Sequence, residues 1–145
     1  MTAKEEATKA QIAAADPARS AWVAANAGSG KTRVLIDRVA RLLLGGASPE
    51  TILCLTYTKA AASEMQNRLF KRLGEWAMMP NEELRDALTA LGEPPQRLVP
   101  DTLRAARRLF AQALEVPGGL KIQTIHAFCE RQIDRREAVR PAGSP

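Results

Sequence analysis

A glycine-rich segment with the sequence Ala-Asn-Ala-Gly-Ser-Gly-Lys-Thr occupies residues 25–32 of the 145-residue chain. An apolar run at residues 20–25 leads into it, and Leu35, Val39 and Leu42 follow it at helical spacing. Glycines between a strand and a helix allow backbone N–H groups to approach an anion closely, and the helix N-terminus adds partial positive charge. The segment therefore predicts a buried strand at 20–25, a phosphate-binding loop, and a helix at 31–44.

The polar residues of this loop fit a nucleoside triphosphate. Lys31 can reach the β- and γ-phosphates, and the Thr32 hydroxyl can ligate Mg²⁺. The usual pattern has glycine where this chain has Ala25, and a chance turn of the same composition is the alternative. The residues predicted to surround the phosphates are Ala25, Asn26, Ala27, Gly28, Ser29, Gly30, Lys31 and Thr32.

Composition excludes several other classes of protein. Hydrophobic residues make up 46% of the chain and charged residues 26%, which is typical of a globular domain and not of a disordered chain. Cys54 and Cys129 are too few for a disulfide scaffold or a structural zinc site. The charged N-terminus has no apolar signal segment, and no run approaches the roughly 18 apolar residues of a membrane span. We therefore expect a soluble, cytoplasmic protein whose net charge of +5 permits nucleic-acid partners.

Strand-like runs alternate with longer helical ones, which favours an α/β fold with parallel strands. Gly74 is expected near the end of the helix that follows the second strand, and Asp101 is expected to cap a later helix. Trp22, Trp76, Phe128 and Cys129 are expected to pack in the core, while residues 135–145 have little to bury and are expected to fray. Besides those at 20–25 and 31–44, the predicted elements are strands at 52–57 and 120–124 and helices at 81–91 and 125–133.

Three further segments stand in register with the loop: Gln11 upstream, TYTKAAASEM at 56–65 and IQTIHAFC at 122–129. In order and spacing they resemble the first motifs of superfamily 1 DNA helicases of the UvrD/Rep type. The amino-acid sequence of these segments most resembles the AddA group of helicase-nuclease proteins. The resemblance implies a partial RecA-like P-loop NTPase domain, a three-layer α/β/α arrangement with a parallel sheet. It also implies bacterial, ATP-dependent helicase activity in double-strand-break repair and recombination, with ATP and Mg²⁺ as cofactors.

The resemblance assigns roles around the nucleotide. Gln11 matches the glutamine that contacts the adenine edge, and Arg33 matches an arginine near the nucleotide; a surface glutamine and a solvated arginine are the alternatives. Lys31 and Thr32 become the predicted catalytic residues, with Thr32 as the Mg²⁺ ligand.

The resemblance also assigns residues that contact single-stranded DNA. Tyr57 is expected to stack on a base, although a core or rim aromatic is the alternative. His126, the only histidine, has a helix-capping or buried neutral histidine as its alternative. Arg104, Arg107 and Arg108 are more simply explained as a solvated helix face than as a basic groove. The predicted DNA-binding residues are Thr56, Tyr57, Thr58, Lys59, Thr124 and His126.

The acidic Asp-Glu motif of this family does not occur in the 145 residues. We therefore expect residues 1–134 to be the N-terminal part of UvrD-like domain 1A, with a short helical insertion at about 77–117, truncated before the acidic strand and inactive alone. We expect the nuclease domain of the AddA type to lie outside these 145 residues; the partners implied by the resemblance are single-stranded DNA, DNA ends and a protein of the AddB type. A non-catalytic remnant that binds nucleotide or DNA is the alternative function, and a small P-loop kinase or GTPase is a third.

Overall fold

Two short parallel strands and six α-helices make up the part of the chain that a computed structural model describes, namely residues 1–24, 26 and 30–139. The strands are joined by a long helical crossover, as parallel pairing requires. Short 3₁₀ turns occupy Pro49–Thr51 and Pro95–Arg97. The elements are α1 (Ala3–Ala14), α2 (Lys31–Leu44), β1 (Leu53–Thr56), α3 (Lys59–Met78), α4 (Asn81–Leu91), α5 (Pro100–Leu114), β2 (Lys121–Thr124) and α6 (Ile125–Val139).

The sheet confirms the α/β class and the parallel strands. Leu53 is paired with Lys121 and Thr56 with Thr124, so β1 and β2 begin and end together. One face of β1 is closed by Cys54, which is buried, whereas Leu53 and Leu55 on the other face are 43% and 40% exposed. Both strand ends that matter for the predicted DNA contacts therefore lie at one edge of the sheet.

The strand predicted at 20–25 is wrong for the residues that the structure describes there. Residues 20–24 have no regular secondary structure and all are exposed, and Ala25 lies outside the described residues. Trp22 is 95% exposed, so its predicted packing role is wrong as well. A short apolar run forms a strand only where a neighbouring strand pairs with it. In the described residues β1 and β2 pair only with each other, so residues 20–24 have no strand partner.

The predicted helix boundaries match the structure where a glycine follows the helical pattern, and they differ from it at Gly74 and Asp101. The predicted helices at 31–44 and 81–91 match α2 and α4. Gly74, expected near the end of its helix, lies inside α3, and a Cβ there would lie at an ordinary contact distance of 3.5 Å from the Phe110 ring. Asp101 is not the cap of α5: Val99 holds that position and Pro100 is the first helical residue.

The core lies among α2, α3, α4 and α5. Leu69, Leu73 and Trp76 of α3 are 3% exposed or less, which confirms the packing role of Trp76. Phe128 is half-buried, but Cys129 is exposed, so the core role of Cys129 is wrong. α6 has no fully buried residue and extends to Val139, beyond the boundary expected at 134. Residues 140–145 of the expected tail lie outside the described residues.

A buried ion pair joins α2 to the end of α4. Arg41 Nε lies 3.3 Å from a Glu93 carboxylate oxygen, and the two side chains are 9% and 2% exposed. Arg41 also donates hydrogen bonds to the carbonyl oxygens of Ile12 and Gly92. Gly92 adopts φ +106°, and a Cβ there would lie 2.5 Å from Ile12 Cγ2. These contacts fix the C-terminal part of α1 beside α2 and α4.

The two cysteines are expected to differ in reactivity. Burial raises the pKa of the Cys54 thiol, whereas Cys129 is exposed. We expect a thiol reagent such as dithionitrobenzoate to label Cys129 rapidly in the native chain and Cys54 only after unfolding. Absorbance at saturation gives the number of labelled thiols, and Cys129→Ser is the control that leaves only the slow thiol. Rapid labelling of that variant would contradict the burial of Cys54.

Candidate functional site

Within the predicted phosphate loop at residues 25–32, the structure describes residue 26 and residues 30–32. Gly30 caps α2 in the left-handed conformation with φ +87°, which favours glycine, and its carbonyl accepts a hydrogen bond from the Val34 amide. Asn26 is exposed. The predictions for Ala25, Ala27, Gly28 and Ser29 fall on residues outside those described.

Gln11 lies against this loop end. A Cβ built on Gly30 would be 3.2 Å from Gln11 Nε2, although 19 positions separate the two residues in sequence. Gln11 belongs to the last turn of α1 and is half-buried. The side-chain amide therefore lies beside the start of α2.

The next three residues form the first turn of α2. Lys31 is exposed and Thr32 is half-buried. Because both lie in the first turn, they are at the positive end of the helix dipole. Arg33 Nε lies 3.9 Å from an Asp37 carboxylate oxygen. Asp37 also pairs with Arg72 of α3, whose pKa is lowered, mainly by burial and also by the nearby Arg33 guanidinium.

The end of β1 presents the first set of predicted DNA contacts. Tyr57 is 91% exposed, which excludes the core alternative. The Thr56 hydroxyl donates to the Thr58 carbonyl at 3.0 Å, and the Thr58 hydroxyl accepts from the Ala61 amide at 3.1 Å. Thr58 therefore caps α3, and Lys59 is an exposed residue in its first turn.

The end of β2 repeats this arrangement. The Thr124 hydroxyl accepts a hydrogen bond from the Ala127 amide at 3.1 Å, so Thr124 satisfies an amide in the first turn of α6. The His126 side chain is 89% exposed, and its Nε2 lies 3.4 Å from a Glu130 carboxylate oxygen. Exposure excludes the buried-histidine alternative, and Thr124 takes the capping role instead.

The structure brings the predicted residues together in two groups. Tyr57 and His126 follow β1 and β2, whose last residues are paired, and Gln11 stands with Gly30 at α2. Arg33 and Ile36 line a surface pocket together with α3 residues between Arg68 and Glu75. Because Arg68 is nine residues after Lys59, about 13 Å of helix separates that pocket from the start of α3. The pocket that Arg33 lines is therefore separated from the strand end at Tyr57 by about this length of α3.

Two arginines of α5, Arg104 and Arg107, have structural partners. Arg104 pairs with Asp101, and Arg107 donates to the Met79 carbonyl and the Asn81 side chain. Arg108 is exposed. These contacts fit a helix face better than a basic groove.

A cavity of about 360 Å³ is lined by none of the predicted site residues, although Gln123 in its wall directly precedes Thr124. It is lined by the exposed face of the sheet and by α6, including Gln123 and Arg131. Within residues 1–24, 26 and 30–139, no three His, Cys, Asp or Glu residues cluster as metal ligands would. No helix in the same ranges has the length and apolarity needed to cross a membrane.

Comparison with known proteins identifies the family. Residues 6–140 match the family described as the UvrD/REP helicase N-terminal domain. The chain is also similar to ATP-dependent helicase/nuclease proteins of the AddA type: that of Latilactobacillus sakei is 35% identical over 127 residues, that of Lactiplantibacillus plantarum 33% over 125, and that of Enterococcus faecalis 36% over 134. These alignments cover 87%, 86% and 92% of the chain.

The same alignments cover 12%, 9% and 9% of the three relatives, so the chain spans only a small part of their length. No solved structure matches at the significance that the curated relatives reach. The resemblance to UvrD/Rep-type helicases, and within them to the AddA type, is nevertheless confirmed by the family match and the named relatives. The chain belongs to the UvrD/REP helicase N-terminal domain family.

Proposed function

We propose that the chain is the ATP- and single-stranded-DNA-binding N-terminal segment of an AddA-like, ATP-dependent DNA helicase that acts in double-strand-break repair and recombination. The observation that carries this proposal is the pair of exposed rings, Tyr57 and His126, directly after two parallel strands that end in register. Exposed rings at one edge of a sheet can each contact a base of an unpaired strand.

At the nucleotide group, the proposal gives each residue one task. The Lys31 ammonium neutralises the β- and γ-phosphates, and the Thr32 hydroxyl holds Mg²⁺. Gln11 donates to and accepts from the adenine edge, since its amide has both functions. The proximity of Gln11 to Gly30 supports this arrangement, and it fits a partial RecA-like domain in which the loop and α2 hold the triphosphate.

At the strand ends, the threonine hydroxyls are already engaged. Thr58 and Thr124 accept hydrogen bonds from helix amides, so a DNA phosphate would meet the remaining N–H groups of α3 and α6 and the Lys59 ammonium. Tyr57 then contributes base stacking, worth about 1–3 kcal/mol per base.

Turnover of ATP is expected to need residues beyond these 145. A carboxylate pair that holds Mg²⁺ and orients water is required, and the chain has no Asp-Glu after an apolar strand. The partners that the proposal implies are DNA ends and a protein of the AddB type. The same observation favours a second candidate, a remnant that binds nucleotide or DNA without turnover.

The DNA-binding part is tested with Tyr57→Ala. Loss of one stacked base is expected to weaken binding of a fluorescein-labelled oligothymidine about 5- to 150-fold, measured by anisotropy at fixed low salt. Tyr57→Phe keeps the ring and is expected to bind like the parent chain. Trp22→Ala is the matched control, because Trp22 is also a highly exposed aromatic but lies outside the strand ends.

Equal affinities for the parent chain and Tyr57→Ala would remove the base-stacking role. Binding should also weaken linearly in a log–log plot against salt, since phosphate contacts release counterions. ATP hydrolysis by the chain in the presence of the oligonucleotide would contradict the expectation that the catalytic acids lie elsewhere.

A further inference from the structure

Arg38, in the middle of α2, contacts the main chain of the segment that follows Gln11. No sequence motif predicts this contact. Its Nη1 donates to the Ala14 carbonyl at 3.2 Å and to the Asp16 carbonyl at 2.8 Å, and its Nη2 donates to the Arg19 carbonyl. One guanidinium therefore binds three main-chain oxygens of the segment that follows Gln11.

These oxygens belong to the end of α1 and the turn after it. The last carbonyls of a helix have no partner within the helix and carry its partial negative charge, so a fixed cation there is favourable. The planar guanidinium presents several donors in one rigid fork, which suits it to hold several carbonyls at once. Arg41, one turn further along α2, adds a hydrogen bond to the Ile12 carbonyl at 3.2 Å.

Gln11 lies immediately before this clamped segment and is tied to it, because the Gln11 carbonyl accepts a hydrogen bond from the Ala15 amide at 3.0 Å. The first residue of α2 is Lys31, which follows Gly30, and the Gln11 side chain lies close to Gly30. α2 therefore carries both the residues proposed to hold the triphosphate and the arginine that fixes the end of α1.

We propose that Arg38 is a positioning residue that holds the end of α1 so that the Gln11 amide faces the nucleotide base. The inference rests on the proposed function, since it gives Gln11 an adenine to recognise. Arg38 would not touch the nucleotide; it would set nucleobase selectivity through the main chain of residues 12–19.

The test compares ATP with GTP. Each unlabelled nucleotide displaces a fluorescent ATP analogue from the full chain, with Mg²⁺ present, and the ratio of the two affinities measures base selectivity. Gln11→Ala and Arg38→Ala are each expected to lower the preference for ATP about tenfold, the loss of about one base-specific hydrogen bond. The double variant is expected to match the single variants, because both changes remove the same interaction. Affinity for tripolyphosphate is expected to stay unchanged.

Arg38→Lys and Arg108→Ala complete the set. Lysine keeps the charge but offers one compact donor group, so selectivity should be restored only in part. Arg108 is exposed on α5, and its replacement should change nothing. Amide hydrogen exchange of residues 12–19 should be faster in Arg38→Ala while exchange in α3 and α5 stays at the parent rate, which separates local release from unfolding.

The failures are distinguishable. If Gln11→Ala leaves selectivity unchanged, the adenine role in the proposed function fails and the positioning role fails with it. If Gln11→Ala lowers selectivity but both Arg38 variants keep it, the positioning role alone is overturned. If Arg38→Lys weakens ATP, GTP and tripolyphosphate equally, Arg38 only maintains the fold and the inference is also overturned.

Discussion

Replacement of Lys31 by alanine is expected to weaken ATP binding by the chain about 10- to 150-fold, since a hydrogen bond to a charged group contributes about 1.5–3 kcal/mol. The lysine lies in the first turn of α2, directly after Gly30, where a phosphate would also meet the helix N-terminus. Calorimetric titration with Mg²⁺-ATP gives the affinities. In a protein that supplies the catalytic acids, the same substitution is expected to abolish ATP turnover.

Lys59 offers a matched control. It is also an exposed lysine at the first position of a helix, α3, but it follows the strand end proposed to bind DNA. Lys59→Ala should weaken oligothymidine binding and leave ATP affinity intact, whereas Lys31→Ala should retain weak DNA binding. An equal effect of both variants on ATP would mean that the affinity reports general positive charge and not a phosphate loop.

Glu93→Ala is expected to reduce the free energy of unfolding by about 3–5 kcal/mol, because it leaves the Arg41 guanidinium buried without its carboxylate. Both side chains are almost fully excluded from solvent, and Arg41 links α1, α2 and α4 through the same contacts. Urea denaturation followed by far-ultraviolet circular dichroism measures the loss, provided that the slope of the transition stays constant.

Two controls separate this effect from general loss of charge. Asp101→Ala breaks the exposed pair with Arg104 and should leave the denaturation midpoint within experimental error. Arg41→Met combined with Glu93→Leu removes both charges and should recover part of the loss. If Glu93→Ala and Asp101→Ala had equal free energies of unfolding, the buried pair of Arg41 and Glu93 would not stabilise the fold as expected.

The sequence predicted elements well where a local pattern decides them. α2 has an apolar stripe that ends at Gly45, and α4 is bounded by Pro80 and Gly92, so both helices match their predicted ranges. The predictions of a strand at residues 20–24 and of packing for Trp22 are wrong, because burial depends on a neighbouring element that local composition does not reveal. Cys129 failed for the same reason, since the pattern of α6 does not say which face is covered.

The candidate site divides in the same way. The common edge for Tyr57 and His126 follows from parallel strands alone, because such strands end on one side of a sheet. No sequence pattern predicts the contacts of Arg38, because its partners are main-chain carbonyls whose position depends on how α1 packs against α2. The approach of Gln11 to Gly30 similarly required the tertiary fold.

The pairing of Thr56 with Thr124 limits the distance between the Cα atoms of Tyr57 and His126, the two residues with exposed rings. Adjacent strands are about 4.8 Å apart and consecutive Cα atoms 3.8 Å apart, so the Cα atoms of Tyr57 and His126 are at most about 16 Å apart. Stacked bases rise about 3.4 Å per nucleotide along a strand. About five stacked nucleotides would therefore cover the maximum Cα separation, so we expect a short oligomer to be enough to test binding at this edge.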